Sequence, residues 1–200
     1  SWIETDDRWR TQTKGLTRCA TEFFVPERSH IRVLQNDETP PFTIATFDIE
    51  VLSADSTWEE QIFPDAEKDA DVITQIITMF SKFGSREPYL TEALILSDKP
   101  VEREGVVVKC YKTERDLLQE FADSYHRAGV CVTSTFNGLG FDFAYVYARA
   151  QKLRVDLDVL GMDRGTPVTL HEQTLESNGL GFSTFKSLVT PGVLHADVMV

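Results

Sequence analysis

At 200 residues, with 42% hydrophobic side chains and 13 Phe, the chain holds enough apolar material for one packed domain, or one domain with a piece of another. Its 32 acids against 20 bases give a formal net charge of −12, which excludes a duplex-coating protein with a broad basic face. No run of about 18 apolar residues offers a membrane span. Cys19, Cys110 and Cys131 show no C-x-x-C spacing, so neither a zinc site nor a disulfide framework is expected, and a reduced intracellular compartment suits them. The opening Ser1-Trp-Ile-Glu-Thr5 is neither a signal peptide nor an initiator methionine and reads as an internal piece of a longer chain.

Residues 1–40 are mixed and polar, with a short strand expected at Ile31–Leu34 and a turn-rich join at Asp37-Glu-Thr-Pro-Pro41 that marks a boundary. The apolar run that follows ends in Phe47-Asp48-Ile49-Glu50 and reads as a buried strand. Because a strand alternates its side chains, Asp48 and Glu50 leave one face together while Phe47 and Ile49 bury on the other. Two adjacent carboxylates repel unless a proton or a cation lies between them. They therefore form either a solvated strand edge or a hard-cation site for Mg²⁺ or Mn²⁺.

Asp55 to Asp71 is acidic and turn-prone, a surface loop over that strand end. Val72 to Phe83 is rich in β-branched and aromatic residues and is expected to be a strand, although Ile73, Ile76, Ile77 and Phe80 also fit helical spacing. Short strands at Ala93–Leu96 and Val106–Cys110 continue the sheet. Thr113 then caps a helix over Glu114–Ala128, with Leu117, Leu118, Phe121, Ala122 and Tyr125 as its apolar stripe and Gly129 as its stop. Val130–Phe136 is another strand and Phe141–Leu153 another helix. Phe182–Val189 and Val193–Val200 are expected to be strands joined as a hairpin through Thr190-Pro-Gly192. This order of strands and helices predicts a layered α/β domain.

Asp142 falls at the turn from strand to helix. A lone acid there is accounted for by the helix dipole. Gly138 and Gly140 lack the third glycine of a dinucleotide fingerprint and are read as relief of crowding in a tight turn.

Several segments together carry a resemblance: Asp48-Ile-Glu50; Phe63-Pro-Asp-Ala-Glu-Lys-Asp69; Val72-Ile-Thr-Gln-Ile76; Phe136-Asn137 with Phe141-Asp142, Tyr145 and Arg149-Ala150; and Gly192-Val-Leu-His-Ala-Asp197. In this order they resemble the proofreading 3′→5′ exonuclease domain of family B DNA polymerases, over nearly the whole chain. Phe136 stands where that family often has Tyr, and Ala144 where it has Pro. An extra Thr74 is expected to shift its strand.

The resemblance implies an RNase H-like fold, a mixed β-sheet flanked by helices, over residues 41–200, preceded in 1–40 by the end of a polymerase N-terminal domain. It implies two Mg²⁺ (or Mn²⁺) ions held by Asp48, Glu50 and Asp142, with Asp48 bridging both. Asn137, Phe141 and Phe47 would contact the single-stranded 3′ end of a DNA primer. It also implies that a third motif with a fourth metal ligand lies beyond Val200, that the remaining polymerase domains are partners, and that the protein works in the nucleus or, if viral, in a host cell. A stand-alone exonuclease on the same fold and a catalytically silent binding domain are the competing expectations.

Overall fold

The computed structural model describes residues 2–10, 15–19, 21–177 and 181–199. Its centre is a six-stranded mixed sheet. β3 (Thr43–Val51), β4 (Ile73–Lys82), β5 (Leu90–Leu96), β6 (Val107–Tyr111), β7 (Val130–Thr135) and β10 (Leu194–Asp197) lie in the order β10-β7-β3-β4-β5-β6. β3 and β4 pair antiparallel, as do β4 and β5, while β10, β7 and β3 run parallel. Helices α1 (Glu114–Ala128) and α2 (Asp142–Leu153) flank this sheet, the layered RNase H-like arrangement expected from the sequence. Two smaller antiparallel pairs lie outside it: β1 (Trp2–Glu4) with β2 (Arg32–Leu34), and β8 (Thr169–Ser177) with β9 (Gly181–Val189).

The period-two pattern of β3 does the sorting. Ala45, Phe47 and Ile49 are buried, whereas Asp48 and Glu50 are exposed. Phe47 meets Phe121 of α1 at 5.3 Å and Phe143 of α2 edge-on at 5.6 Å between ring centroids, so one strand residue joins both helices to the sheet. The expected stripe of α1, Leu117, Leu118, Phe121, Ala122 and Tyr125, is buried throughout. The Thr113 hydroxyl accepts from the Asp116 N–H at 3.1 Å, and Gly129 ends the helix in the left-handed region at φ 60°.

Residues 73–82 form a strand, as their β-branched composition predicts. Their pairing with β3 slips near Glu50, where Glu50 faces Gln75 but Val51 faces Ile73. Thr74 is the residue passed over, and its hydroxyl donates to the Glu50 carbonyl at 3.1 Å. The extra residue is thus absorbed as a β-bulge, a device that re-aims a strand end locally.

The predicted hairpin through Thr190-Pro-Gly192 is a correction. β9 and β10 do not pair with each other: β9 pairs with β8, and β10 crosses to lie parallel beside β7. Pro191 precedes Gly192 at φ 82°, and Val193 N–H reaches the Thr190 carbonyl at 3.0 Å. That is a type II turn, whose twist splays flanking strands rather than closing a tight hairpin. A Cβ on Gly192 would also stand 2.7 Å from the Met162 Cβ. The end of the predicted strand, Val200, lies outside the described residues.

The long loop between β3 and β4 is fastened to the helices by buried polar contacts. Arg149, 1% exposed, pairs with Glu114, and its Nη1 donates to the carbonyls of Ala66 at 2.9 Å and Lys68 at 2.7 Å. Glu114 Oε1 also accepts from the Ile73 N–H at 2.9 Å, and the Tyr145 hydroxyl donates to the Asp71 carbonyl at 2.9 Å. Asp71 in turn accepts from the N–H groups of Ala54 and Asp65 at 2.9 and 2.8 Å. Glu114→Ala leaves a guanidinium buried without its counter-charge and is expected to destabilise the domain by about 3–5 kcal/mol in urea unfolding. The double change Glu114→Ala/Arg149→Met should cost less than the single one, and an equal or larger loss would contradict the ion-pair account.

Candidate active site

The parallel pairing of β3 with β7 ends at Thr46↔Ser134, so beyond that point one edge of β3 has lost its strand partner. The head of α2 fills the gap. Asp142 Oδ1 accepts the Ile49 N–H at 3.2 Å, between the two exposed acids of the same strand. Buried polar backbone must be satisfied, and here a carboxylate substitutes for a strand carbonyl.

Asp142 is only 4% exposed, and the Asp48 carboxylate lies within hydrogen-bonding reach of it. Burial, and then the charge of Asp48, push the Asp142 pKa up to about 6. Asp48 and Asp142, 94 residues apart in sequence, are therefore brought together. Glu50 shares the exposed face of β3 two residues on. Among the described residues, no three His, Cys, Asp or Glu side chains are gathered closely enough to form a ready-made metal cluster. The donors that do meet are carboxylate oxygens, which suit hard divalent cations such as Mg²⁺ and Mn²⁺ and match soft metals poorly.

The turn leading to Asp142 is built with equal economy. Asn137 occupies the left-handed region at φ 61°, and its carbonyl accepts from Gly140 and Phe141 at 3.0 and 3.1 Å. The two glycines serve close approach, as expected: a Cβ on Gly138 would come 2.4 Å from Thr135 Oγ1, and one on Gly140 2.4 Å from Asn137 Oδ1. Asp197, at the end of β10, accepts from the N–H groups of Asn137 and Leu139, both at 2.9 Å. These backbone bonds hold its carboxyl below the ordinary range in spite of partial burial.

Asn137 is exposed beside this turn, and Phe141 is half-buried under it. Phe47 lies elsewhere: at 4% exposure it belongs to the helix-covered core and presents no ring at the acid pair. Its strand position, out of phase with Asp48, dictates this. An aromatic to which sequence reasoning gave no role lies against Phe141 instead. Phe63, 76% exposed in the β3–β4 loop, meets Phe141 edge-on at 5.1 Å, and Phe141 meets Tyr145 at 5.1 Å. The signal was present in the Phe63-Pro64 pair quoted above, but neither spacing nor propensity tells how a loop folds back.

The whole chain, residues 1–200, matches the family model described as DNA polymerase family B, exonuclease domain. The chain belongs to this family. It is 40% identical over 156 residues to a DNA polymerase of Acanthamoeba polyphaga mimivirus, which covers 78% of this chain and 8% of the relative. It is 30% identical over 196 residues to the DNA polymerase delta catalytic subunit of Mesocricetus auratus, covering 96% of this chain and 17% of that protein. A DNA polymerase catalytic subunit of human herpesvirus 8 is 30% identical over 180 residues, 88% of this chain and 16% of its own. The chain thus spans less than a fifth of the length of these relatives. Family B exonuclease domains on this fold imply dependence on divalent metal. No helix among the described residues is long and apolar enough to cross a membrane.

The acid pair has a stability consequence. Folded Asp142 keeps a proton that the unfolded chain has already released, so its contribution favours folding below about pH 4 and is lost as pH rises through about 6. At neutral pH the metal-free domain is penalised by about 3 kcal/mol. Asp142→Asn, which retains an acceptor for the Ile49 N–H, should raise metal-free stability by about 2–3 kcal/mol near pH 8 and change it little near pH 4. Thermal unfolding of both proteins in EDTA across that range checks this; an Asn variant that is less stable at both ends would refute the penalty.

Proposed function

We propose that Asp48 and Asp142, with Glu50 beside them, hold divalent cations, and that the domain removes nucleotides from the 3′ end of a DNA strand as the proofreading activity of a family B DNA polymerase. The observation that carries this reading is the placement of the buried Asp142 carboxylate against Asp48, in a chain that matches the family's exonuclease domain throughout. Such cations, when bound, supply an activated water and charge stabilisation for phosphodiester hydrolysis. The chain's own contribution is to fix the donors. β3 fixes Asp48 and Glu50 on one face, and the Ile49 N–H fixes Asp142. With its pKa pushed up only to about 6, Asp142 is ionised at neutral pH, where its carboxylate would be free to hold a cation.

The frayed 3′ end would lie against Asn137, Phe141 and the exposed ring of Phe63. Aromatic stacking tolerates every base, which suits an activity that must trim any sequence. Preference for mispaired ends then follows from their cheaper unpairing. The domain's net charge of −12 makes local cations and metal the means by which phosphate is tolerated near the site. The partners implied are a DNA primer end and the other domains of a polymerase, and the location implied is the nucleus or a virus-infected host cell.

In a polymerase carrying this domain, Asp48→Ala and Asp142→Ala should each lower 3′ trimming by at least about a hundredfold while primer extension stays near normal. Phe63→Ala should raise the KM for single-stranded ends several-fold with a smaller effect on kcat, about 1–3 kcal/mol of lost stacking at most. Gel-resolved digestion of a 5′-labelled oligonucleotide measures both. Unchanged trimming by Asp48→Ala would sink the metal-ligand assignment.

A further inference from the structure

α1 carries its own cap in Thr113, but Phe141, the residue before α2, has no side-chain oxygen to serve in that place. The 137–140 turn takes over the task. Its Asn137 carbonyl accepts the Gly140 and Phe141 N–H groups at 3.0 and 3.1 Å, and its Gly138 carbonyl accepts the Phe143 N–H at 3.1 Å. Asp142 thus sits between two residues hung from this turn, and a shift of the turn moves its carboxylate.

On the carbonyl side the turn is also tied to β9, where Leu139 accepts the Lys186 N–H at 2.7 Å. On the N–H side it is held from β10. Asn137 donates to Asp197 Oδ1 and Leu139 to Oδ2, both at 2.9 Å, and the Met199 N–H also reaches Oδ1 at 2.9 Å. Converging main-chain N–H groups form a concavity that selects an anion. Burial opposes the charge of Asp197, yet the N–H groups of Leu139, Met199, Asn137 and Gly138 outweigh it and hold the carboxyl below its ordinary range. The charge therefore persists at neutral pH, where it offsets the cost of keeping Asn137 at φ 61°. β10 is itself in register with β7, Asp197 opposite Thr135, and the His195 ring packs edge-on against Phe143 at 4.8 Å. Strand and helix head meet at two points.

We propose that Asp197 is a positioning residue: an internal anion, supplied by β10, that sets the head of α2 so that Asp142 reaches the Ile49 N–H and lies beside Asp48. Its consequence for cations rests on the reading of Asp142 as a metal ligand, whereas the positioning itself does not.

Hydrogen exchange at the Ile49 amide, followed by NMR on the 200-residue chain in EDTA, reads the Asp142 bond without catalysis. Asp197→Ala should speed this exchange by about tenfold or more, while amides of the β4–β5 ladder keep their protection. Formate, a carboxylate small enough for the vacated nest, should restore the protection, and chloride at the same ionic strength should not. Asp197→Asn keeps the side chain's volume but presents NH₂ to a main-chain donor; it should expose the same amide and ignore formate. In a polymerase carrying this domain, Asp197→Ala should raise the Mn²⁺ concentration for half-maximal 3′ trimming by about tenfold. Ile49 exchange unchanged in both variants, exchange quickened evenly through the sheet, or an Ala variant that formate does not rescue would each overturn the proposal. Faster Ile49 exchange with an unmoved Mn²⁺ midpoint would uphold the positioning role and overturn the assignment of Asp142 as a metal ligand.

Discussion

The site depends on one hydrogen bond that stands in for a missing strand. Where β7 stops pairing with β3, the Ile49 N–H would be orphaned in the interior, and Asp142 Oδ1 takes it. This bond registers the head of α2 against β3 and brings two acids from distant segments together. The arrangement is not a comfortable one. Asp142 is buried beside the Asp48 carboxylate, and both burial and charge oppose its ionisation. Displaced carboxylate titration of this kind, confined to a few residues and offset by the surrounding fold, is the feature on which the proposed metal-binding role rests.

The surroundings that offset it are polar as well as apolar. Phe47 couples both helices to the sheet through Phe121 and Phe143. Arg149, Glu114, Tyr145 and Asp71 fasten the β3–β4 loop from beneath, and that loop carries Phe63 over Phe141. Asp197 fixes the other approach by holding the 137–140 turn. Three segments, widely spaced in the chain, are thereby fixed around one strand end. Buried ion pairs add less to net stability than to the definition of one arrangement. Here they act on the loop that would otherwise be the least constrained part of the domain.

Much of this was legible in the residues. The alternation in Phe47-Asp48-Ile49-Glu50 determines which side chains bury, and the structure follows it. β-Branched composition identifies β4 despite its helical spacing, and the Thr113 cap and Gly129 stop delimit α1. Even the surplus Thr74 appears where a shift was expected, as a bulge beside Glu50. What local signals could not supply was the pairing of distant segments. Pro191-Gly192 has turn chemistry, but the turn is type II, and it sends β10 to β7 while β9 pairs with β8. Phe63, Arg149 and Asp197 were visible as parts of motifs, yet their roles depend on contacts made across 60 to 80 residues or more, which periodicity does not encode. Phe47 is the reverse case: the same alternation that exposes Asp48 withdraws Phe47 from the site.

The central claim is electrostatic, that Asp142 and Asp48 share one environment which a divalent cation can enter. Its most direct measurement is a ¹³C-NMR titration of the Asp142 side-chain carboxyl with and without Mg²⁺. The account predicts a midpoint near pH 6 in EDTA, moved down toward the ordinary carboxylate range by Asp48→Asn and driven lower still by Mg²⁺ in the unaltered chain. An Asp142 that titrates as an ordinary aspartate in EDTA and ignores both the Asp48 substitution and the cation would contradict it.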